Sequence, residues 1–518
     1  MPANRIFHRL IGARMPHILW AQSRPADAQR GVHLGLIHGL ASTAYGKSLG
    51  IQNASDVAKR KDFVRRIPLV TYDELKPWVL RARKGEPHVL WPGVTKWFAQ
   101  SSGTTSDVHK WLPVTSESLQ EGHYKGGKDV LAQFCHQVPD AQLYQGKHLI
   151  LGGSSALVQE GKKAMKGDLS AIIVRHLPPW CEARRTPSRD IALMEDWAQK
   201  VDAVARATSR EDVRILAGVP SWMSLVAARV LEITGKDHLR EVWPNLTLYM
   251  HGGVGFAPYR DTFNALIPQE DGRPRMHYLE TYNASEGFFS YQDDLMRDDM
   301  ALLMDHGIYY EFIPMEELGK SDPVALEFRE VEEGQTYALV ISTNAGLWRY
   351  VVGDLVTVTS KIPLRVQVTG RITSHLNLVG EEVMEHQTDQ TVAAVSTELG
   401  AHVYNYMVGP VFDAMGKPVG HHWIVEFQKD SMQPPATALA SRLDKRLQGL
   451  NGDYAAKRVA SLALQSPKVS VVPLGTFDTW LRSKNRLGGQ HKVPRLTDQI
   501  AELDRIVGLA GQELSPTC

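Results

Sequence analysis

Residues 101–115 read SSGTTSDVHKWLPVT, and the meaning of this stretch governs how the rest of the chain is understood. Ser101, Ser102, Thr104 and Thr105 surround Gly103, and Lys110 follows a short way on. Glycine permits close backbone approach, so amide and hydroxyl donors can converge on one anion while a nearby lysine adds charge. That is the chemistry of a loop holding a nucleotide's phosphates. The spacing is not G-x-x-x-x-G-K-[ST], which places the chain outside the P-loop enzymes and in another class of ATP user. A polar Ser/Thr-rich turn is the plain alternative, and the segment alone leaves both readings standing.

The pattern around it is that of an α/β fold. Strands are expected over 147–151, 213–219, 246–250 and 276–280, and they run into Gly152-Gly153, Pro220-Ser221, His251-Gly252-Gly253 and Thr281-Tyr282-Asn283. Helical spacing marks 191–205 through Leu193, Trp197, Val201 and Val204. Ser221 is expected to cap a further helix that Gly235 closes, and Thr71 with Glu74 spells a capping box for a helix to Arg83, ended by Gly85. Strands alternating with helices give a layered sheet, and such sheets bind ligands at their glycine-rich strand ends. The strands expected over 309–313, 337–343 and 356–359 have no long helices between them, which predicts an appended antiparallel, barrel-like sheet. After Arg371 the pattern changes again: helices over 382–399 and 435–450, strands over 403–408, 422–428 and 469–472. The expected fold is therefore a large N-terminal α/β domain over 1–372 with that sheet appended, and a smaller C-terminal α+β domain over 373–518.

Composition narrows the class. A chain of 518 residues is too long for one core. With 43% hydrophobic and 22% charged residues it has an ordinary globular composition. A net charge of +1 supplies no field to recruit nucleic acid or an anionic membrane surface. No apolar run reaches membrane-spanning length, and Arg9 and Arg14 interrupt any signal-peptide core. Cys135, Cys181 and Cys518 are far apart and odd in number, which fits a reducing cytoplasm and no disulfide framework. A monomer or weak homodimer is expected, without nucleic-acid or membrane partners.

Three further stretches bear on the phosphate loop. In Thr281-Tyr282-Asn283-Ala284-Ser285-Glu286-Gly287 a tyrosine can stack on a purine, a hydroxyl can touch phosphate, and a carboxylate beside phosphate suits magnesium. The plain alternative is a strand-to-helix turn. In Leu347-Trp348-Arg349-Tyr350-Val351-Val352-Gly353-Asp354 the aspartate can accept hydrogen bonds from a ribose diol, and the alternative is a Gly-Asp hairpin turn. In Gly488-Gly489-Gln490-His491-Lys492-Val493-Pro494-Arg495 the lysine can reach into a cleft and offset developing negative charge, and the alternative is an exposed basic loop.

In their order and rough spacing, SSGTT, YNASEG, RYVVGD and GGQHKVPR resemble the acyl acid amido synthetases, the auxin-responsive Gretchen Hagen family of plants and its bacterial relatives. The resemblance extends from about Phe63 to Leu496. The lysine after SSGTT stands one place later than in acyl-CoA synthetases, and their C-terminal Ser-Gly-Lys element is replaced by Gln490-His491-Lys492-Val493-Pro494-Arg495. The resemblance implies an adenylate-forming ligase. It would use ATP and magnesium to activate a carboxylic acid as its acyl-adenylate, then pass the acyl group to the amine of an amino acid. It implies ATP-binding roles for Ser101, Ser102, Thr104 and Thr105 on the phosphates, Gly253, Val254 and Phe256 on the adenine side, and Tyr282 on the adenine ring. It also implies that Ser285 lies near the α-phosphate, Glu286 on magnesium, Asp354 on the ribose, Arg371 near ribose and hinge, and Lys492 over the site. Lys492, Glu286 and Ser285 would be the catalytic residues. Trp222, Met223, Phe256 and Tyr259 are candidates for the acyl pocket, with ordinary core packing as the alternative. His109, His251 and His491 are candidate bases by position only. Two other functions stay open: transfer of the acyl group to a thiol of CoA or a carrier protein, and a non-catalytic nucleotide-binding module.

Overall fold

The computed structural model describes residues 2–101, 110–153, 157–160, 164–372, 375–376, 378–379, 381, 383–413, 418–458, 464–484 and 493–511. The chain divides into two compact units. One comprises Met1–Gly253 with Gln269–Val368, the other Val254–Pro268 with Thr369–Cys518.

A twelve-stranded sheet organises the first unit. From one edge come Arg185–Thr186, Lys147–Ile150, Val213–Gly218, Leu248–Gly252 and His277–Ala284, each parallel to its neighbour. The sheet then turns antiparallel through Gly287–Tyr291 and Met300–Leu302 and continues with Leu364–Arg371, Tyr350–Lys361, Thr336–Thr343, Ile308–Pro314 and Leu326–Glu327. The appended antiparallel strands are thus continuous with the parallel ones. A separate four-stranded sheet carries Lys110–Val114, Trp97–Ser101, Ala164–Asp168 and Val158–Glu160 in that order. The central strands are apolar runs buried on both faces, such as Ile215, Leu216 and Leu248, as expected of parallel strands covered by helices.

Local signals account for most element ends. The helix Tyr72–Arg83 begins at Thr71, whose N–H and hydroxyl donate to the Glu74 carboxylate at 2.7 and 3.0 Å. The helix Pro220–Thr234 ends at Gly235, left-handed at φ 63°. Its start differs from expectation: Val219 occupies the cap position and Pro220 the first turn, where a missing N–H costs nothing, so Ser221 lies inside the helix. The single helix expected over 191–205 is two, Arg189–Ala192 and Trp197–Thr208. Asp196 restarts it by accepting the Gln199 N–H at 2.8 Å. The strand expected over 276–280 continues to Ala284, so Thr281, Tyr282 and Asn283 are strand residues rather than a turn.

The second unit is built on a three-stranded sheet, Val403–Phe412, Pro418–Phe427 and Lys468–Val472, antiparallel then parallel. Successive side chains point to opposite faces. Tyr406, Val408, Trp423 and Val425 join one core with Leu443 and Leu447 of the helix Ala436–Leu450. Met407 and Ile424 join another with Phe477, Trp480 and Ile506. No helix among the described residues is long and apolar enough to cross a membrane.

Candidate active site

The parallel strands of the first unit align their carboxyl ends. Gly218 is level with His251, and Gly252 with Thr281. The turns singled out in the sequence, at Gly152-Gly153, Val219-Pro220, Gly253 and beyond Ala284, therefore leave the same edge of one sheet. That edge is where open α/β sheets hold ligands. It is cross-braced: Tyr249 donates its hydroxyl to the Gly218 carbonyl at 3.1 Å, and Thr281 Oγ1 donates to the His251 carbonyl at 3.0 Å.

Tyr282 and Asp354 meet directly. The tyrosine hydroxyl donates to Asp354 Oδ2 at 2.6 Å, and both side chains are buried. Their strands are separated in the sheet by Gly287–Tyr291, Met300–Leu302 and Leu364–Arg371. Four strand spacings in a flat sheet amount to about 19 Å, so the sheet must curl strongly to close that hydrogen bond. A bulge helps to aim the carboxylate. Ala338 faces Leu355 while Val340 faces Val351, which leaves Val352, Gly353 and Asp354 opposite the single residue Leu339. Gly353 has φ 96°. Asp354 therefore sits on a glycine-enabled bulge within the strand Tyr350–Lys361 and not on a hairpin turn. The Tyr282 ring is also packed edge-on against Phe289 at 4.7 Å.

Ser285 and Glu286 form the two-residue turn of a β-hairpin, since Gly287 pairs with Ala284, and no helix begins there. Both are half-buried. A half-buried carboxylate of this kind suits magnesium, which takes one or two carboxylates and completes its octahedron with phosphate oxygens and water. Asn283, in the same stretch, is the neighbour that raises the pKa of His123 against burial. His123 lies on a π-helical segment, Ser118–Tyr124, of a kind that recurs at functional sites. Burial pushes its pKa down to about 4, so the ring is neutral at physiological pH.

The sequence reading missed His123, because a π-helix has no periodicity of its own to read. It also missed Lys200. This lysine is buried on the helix Trp197–Thr208, and its ammonium donates to the carbonyls of Gly152 and Gly153 at 3.1 and 2.6 Å, fixing the turn after the strand Lys147–Ile150. Burial lowers its pKa to about 8, opposed by Asp168. A lysine on the inward face of an amphipathic helix was the available signal.

The strands on either side of the SSGTT stretch, Trp97–Ser101 and Lys110–Val114, pair antiparallel. Ser101 ends the strand Trp97–Ser101 directly opposite Lys110, whose ammonium lies 5.9 Å from the Tyr72 ring centroid. Ser102, Thr104, Thr105 and His109 lie outside the described residues, as do His491 and Lys492. Of the remaining predicted residues, Ser101, Gly253, Tyr282, Ser285, Glu286, Asp354, Trp222 and Met223 belong to the first unit. Val254, Phe256, Tyr259 and Arg371 belong to the second. Met223 is buried, and Trp222 packs edge-on against Trp197 at 5.4 Å. Phe256 is buried against Phe263 at 5.8 Å, and Tyr259 is 1% exposed. Arg371 is exposed at the end of its strand. His251 is buried in the strand Leu248–Gly252.

Three family models match the chain in succession: the GH3 family N-terminal domain over 15–271, the central domain over 301–371 and the C-terminal domain over 386–500. Among curated relatives, an indole-3-acetic acid-amido synthetase of Arabidopsis thaliana, GH3.3, is 22% identical over 88% of this chain and 86% of its own length. The GH3.8 enzyme of Oryza sativa subsp. indica is 24% identical over 90% and 88%. Among solved structures, the GH3.15 acyl acid amido synthetase superposes with a TM-score of 0.76 at 16% identity, covering 96% of each chain. A 2-hydroxyisobutyryl-CoA ligase in complex with an acyl-AMP superposes at 0.55 with 13% identity, covering 94% of each.

Proposed function

The chain belongs to the GH3 family, and from that premise we propose that it is an ATP-dependent ligase joining a carboxylic acid to the amine of an amino acid. A carboxylate resists substitution because its leaving group would be oxide. Its attack on the α-phosphate of ATP releases pyrophosphate and leaves an acyl-adenylate, from which AMP departs readily. The neutral amine then attacks the acyl carbon, an amide forms, and the proton of the amine is lost.

The observation that best supports this reading is the succession of three family domains along one chain. The pairing of Tyr282 with Asp354 fits it, since a carboxylate held at the edge of a nucleotide cleft can accept hydrogen bonds from ribose hydroxyls. In this proposal Ser101, Ser102, Thr104 and Thr105 receive the phosphates, Ser285 approaches the α-phosphate, and Glu286 holds magnesium, which would supply charge neutralisation there. Tyr282 packs on the adenine, and Gly253, Val254 and Phe256 belong to the adenine-side loop. Arg371 serves the ribose and hinge, and Lys492 offsets charge on the reacting phosphoryl group by preorganised electrostatics. Trp222, Met223, Phe256 and Tyr259 line the acyl pocket. The division at 372/373 into an adenylate-forming domain and a lid belongs to the same proposal, the lid keeping water from the adenylate. The setting is the cytoplasm, and the protein acts as a monomer or weak homodimer.

A panel of carboxylic acids crossed with amino acids, scored by release of AMP and pyrophosphate and by mass of the product, tests the reading. An amide is the expected product. Glu286→Ala and Lys492→Ala should each lower pyrophosphate release about 100-fold, the scale of one lost electrostatic partner. Formation of acyl-CoA when CoA is supplied, with no amide from any amino acid, would show a thiol acceptor instead.

A further inference from the structure

Arg495 closes the GGQHKVPR stretch, and it is 3% exposed where a basic surface loop would leave it in water. Its backbone is fastened to the strand Val403–Phe412. The Val408 N–H donates to the Arg495 carbonyl at 2.8 Å, and the Thr497 N–H donates to the Val408 carbonyl at 2.9 Å. Its guanidinium lies over the Tyr406 ring at 4.5 Å, donates to the Tyr259 hydroxyl at 3.1 Å, and places Nε 3.4 Å from Asp389 Oδ1. Asp389 in turn accepts the Tyr406 hydroxyl at 2.6 Å. The other Asp389 oxygen abuts Gly255, where an added Cβ would collide with it.

Tyr259 and Gly255 both lie in Val254–Pro268, the segment that follows the strand Leu248–Gly252 in sequence yet belongs to the second unit. The segment is held there at two more points: Thr397 donates to Asp261 at 2.6 Å, and Gln428 donates to the Thr262 hydroxyl at 2.9 Å. Burying a guanidinium is costly unless an opposite charge is buried with it, and Asp389 supplies that charge. Its planar fork also fixes direction, so a neighbour bound to it is oriented as well as held.

We propose that Arg495, together with Asp389, is a positioning residue for the loop 254–256: through Tyr259 and Gly255 it joins the strand Val403–Phe412 and that loop into one rigid piece. The consequence is that the adenine-side loop takes its shape from Arg495 and Asp389. The inference rests on the adenylate-forming reading, which gives the loop its ligand.

Acid-dependent ATP–pyrophosphate exchange by the full chain separates the two. Arg495→Met should raise KM for ATP about tenfold, the scale of a lost hydrogen bond to a charged group. Arg495→Lys should recover part of the loss. Tyr259→Phe keeps the packed ring and removes the hydroxyl, so it carries the test if Arg495→Met fails to fold. It should raise KM for ATP in the same direction, and in the double variant add little to Arg495→Met, because both break one link. An ATP KM that does not move in Tyr259→Phe, or a double variant whose losses simply add, overturns this inference alone. Absence of exchange by the unaltered protein with every acid overturns the adenylation reading, and this inference with it.

Discussion

Residue types were legible before residue partners were. Tyr282 reads as a ring for the adenine and Asp354 as an acceptor for the ribose, yet the pair meets across a buried hydrogen bond that neither motif announces. Glu426 makes the same point in the second unit. It is buried in the strand Pro418–Phe427. One oxygen accepts the N–H groups of Gly475 and Thr476, and Oε2 meets no hydrogen-bond partner among the described residues. Burial, then the nearby Asp478, pushes its pKa up to about 8. A carboxyl with a folded pKa above its unfolded value, roughly 4.3, is bound to its proton more tightly in the folded state. Its contribution to stability is complete below that unfolded value and is lost as pH rises through about 8. Glu426→Gln keeps an oxygen for the two N–H groups and removes the charge. Its thermal midpoint relative to the unaltered protein should therefore climb between about pH 5 and about pH 9. A difference that stays flat over that range would exclude a charged Glu426 as the cause.

At the scale of elements, periodicity located strands and helices well and misjudged where they stop. Asp196 and Pro220 act on helix starts through one hydrogen bond and one absent donor, effects that a hydrophobic pattern averages away. The bulge at Asp354 is a further case, since Gly353-Asp354 in sequence reads equally as a hairpin turn. Gly353 at φ 96° has no atom within 4 Å of where a Cβ would stand, so Gly353→Ala is strained by its backbone alone. It should cost about 1–2 kcal/mol and also raise KM for ATP, because the bulge aims Asp354. Gly334, at φ 83° and equally open, is the control. Gly334→Ala should lose comparable stability in a thermal melt and leave KM for ATP unmoved. Equal effects of both substitutions on KM would detach the bulge from the nucleotide site.

For the whole molecule, the consequential feature is a discontinuous second unit. A chain beginning at Thr369 lacks Val254–Pro268. It therefore loses Phe256, Tyr259 and Phe263, which are buried, and the partner that Arg495 holds at 3.1 Å. A fragment over 369–518 should melt broadly by circular dichroism, with poor amide-exchange protection in the strand Val403–Phe412. The same fragment with 254–268 fused through a flexible linker should melt cooperatively at a higher temperature. Identical melts would show that the segment contributes nothing to the unit's core.

The amino-acid sequence by itself determined the alternation of strands and helices, the glycine and proline punctuation, the order of the four motifs and, through them, the family. These are local properties, carried by side-chain periods of two or 3.6 residues and by turn chemistry. Only the tertiary structure decided that the sheet curls until Tyr282 reaches Asp354, that Arg495 is buried rather than displayed, and that Val254–Pro268 belongs with residues more than a hundred positions later. The two hydrogen bonds that express this span 72 and 236 residues. Which partners such distant groups find depends on sheet curvature and on the packing of both cores, and no window of sequence contains either.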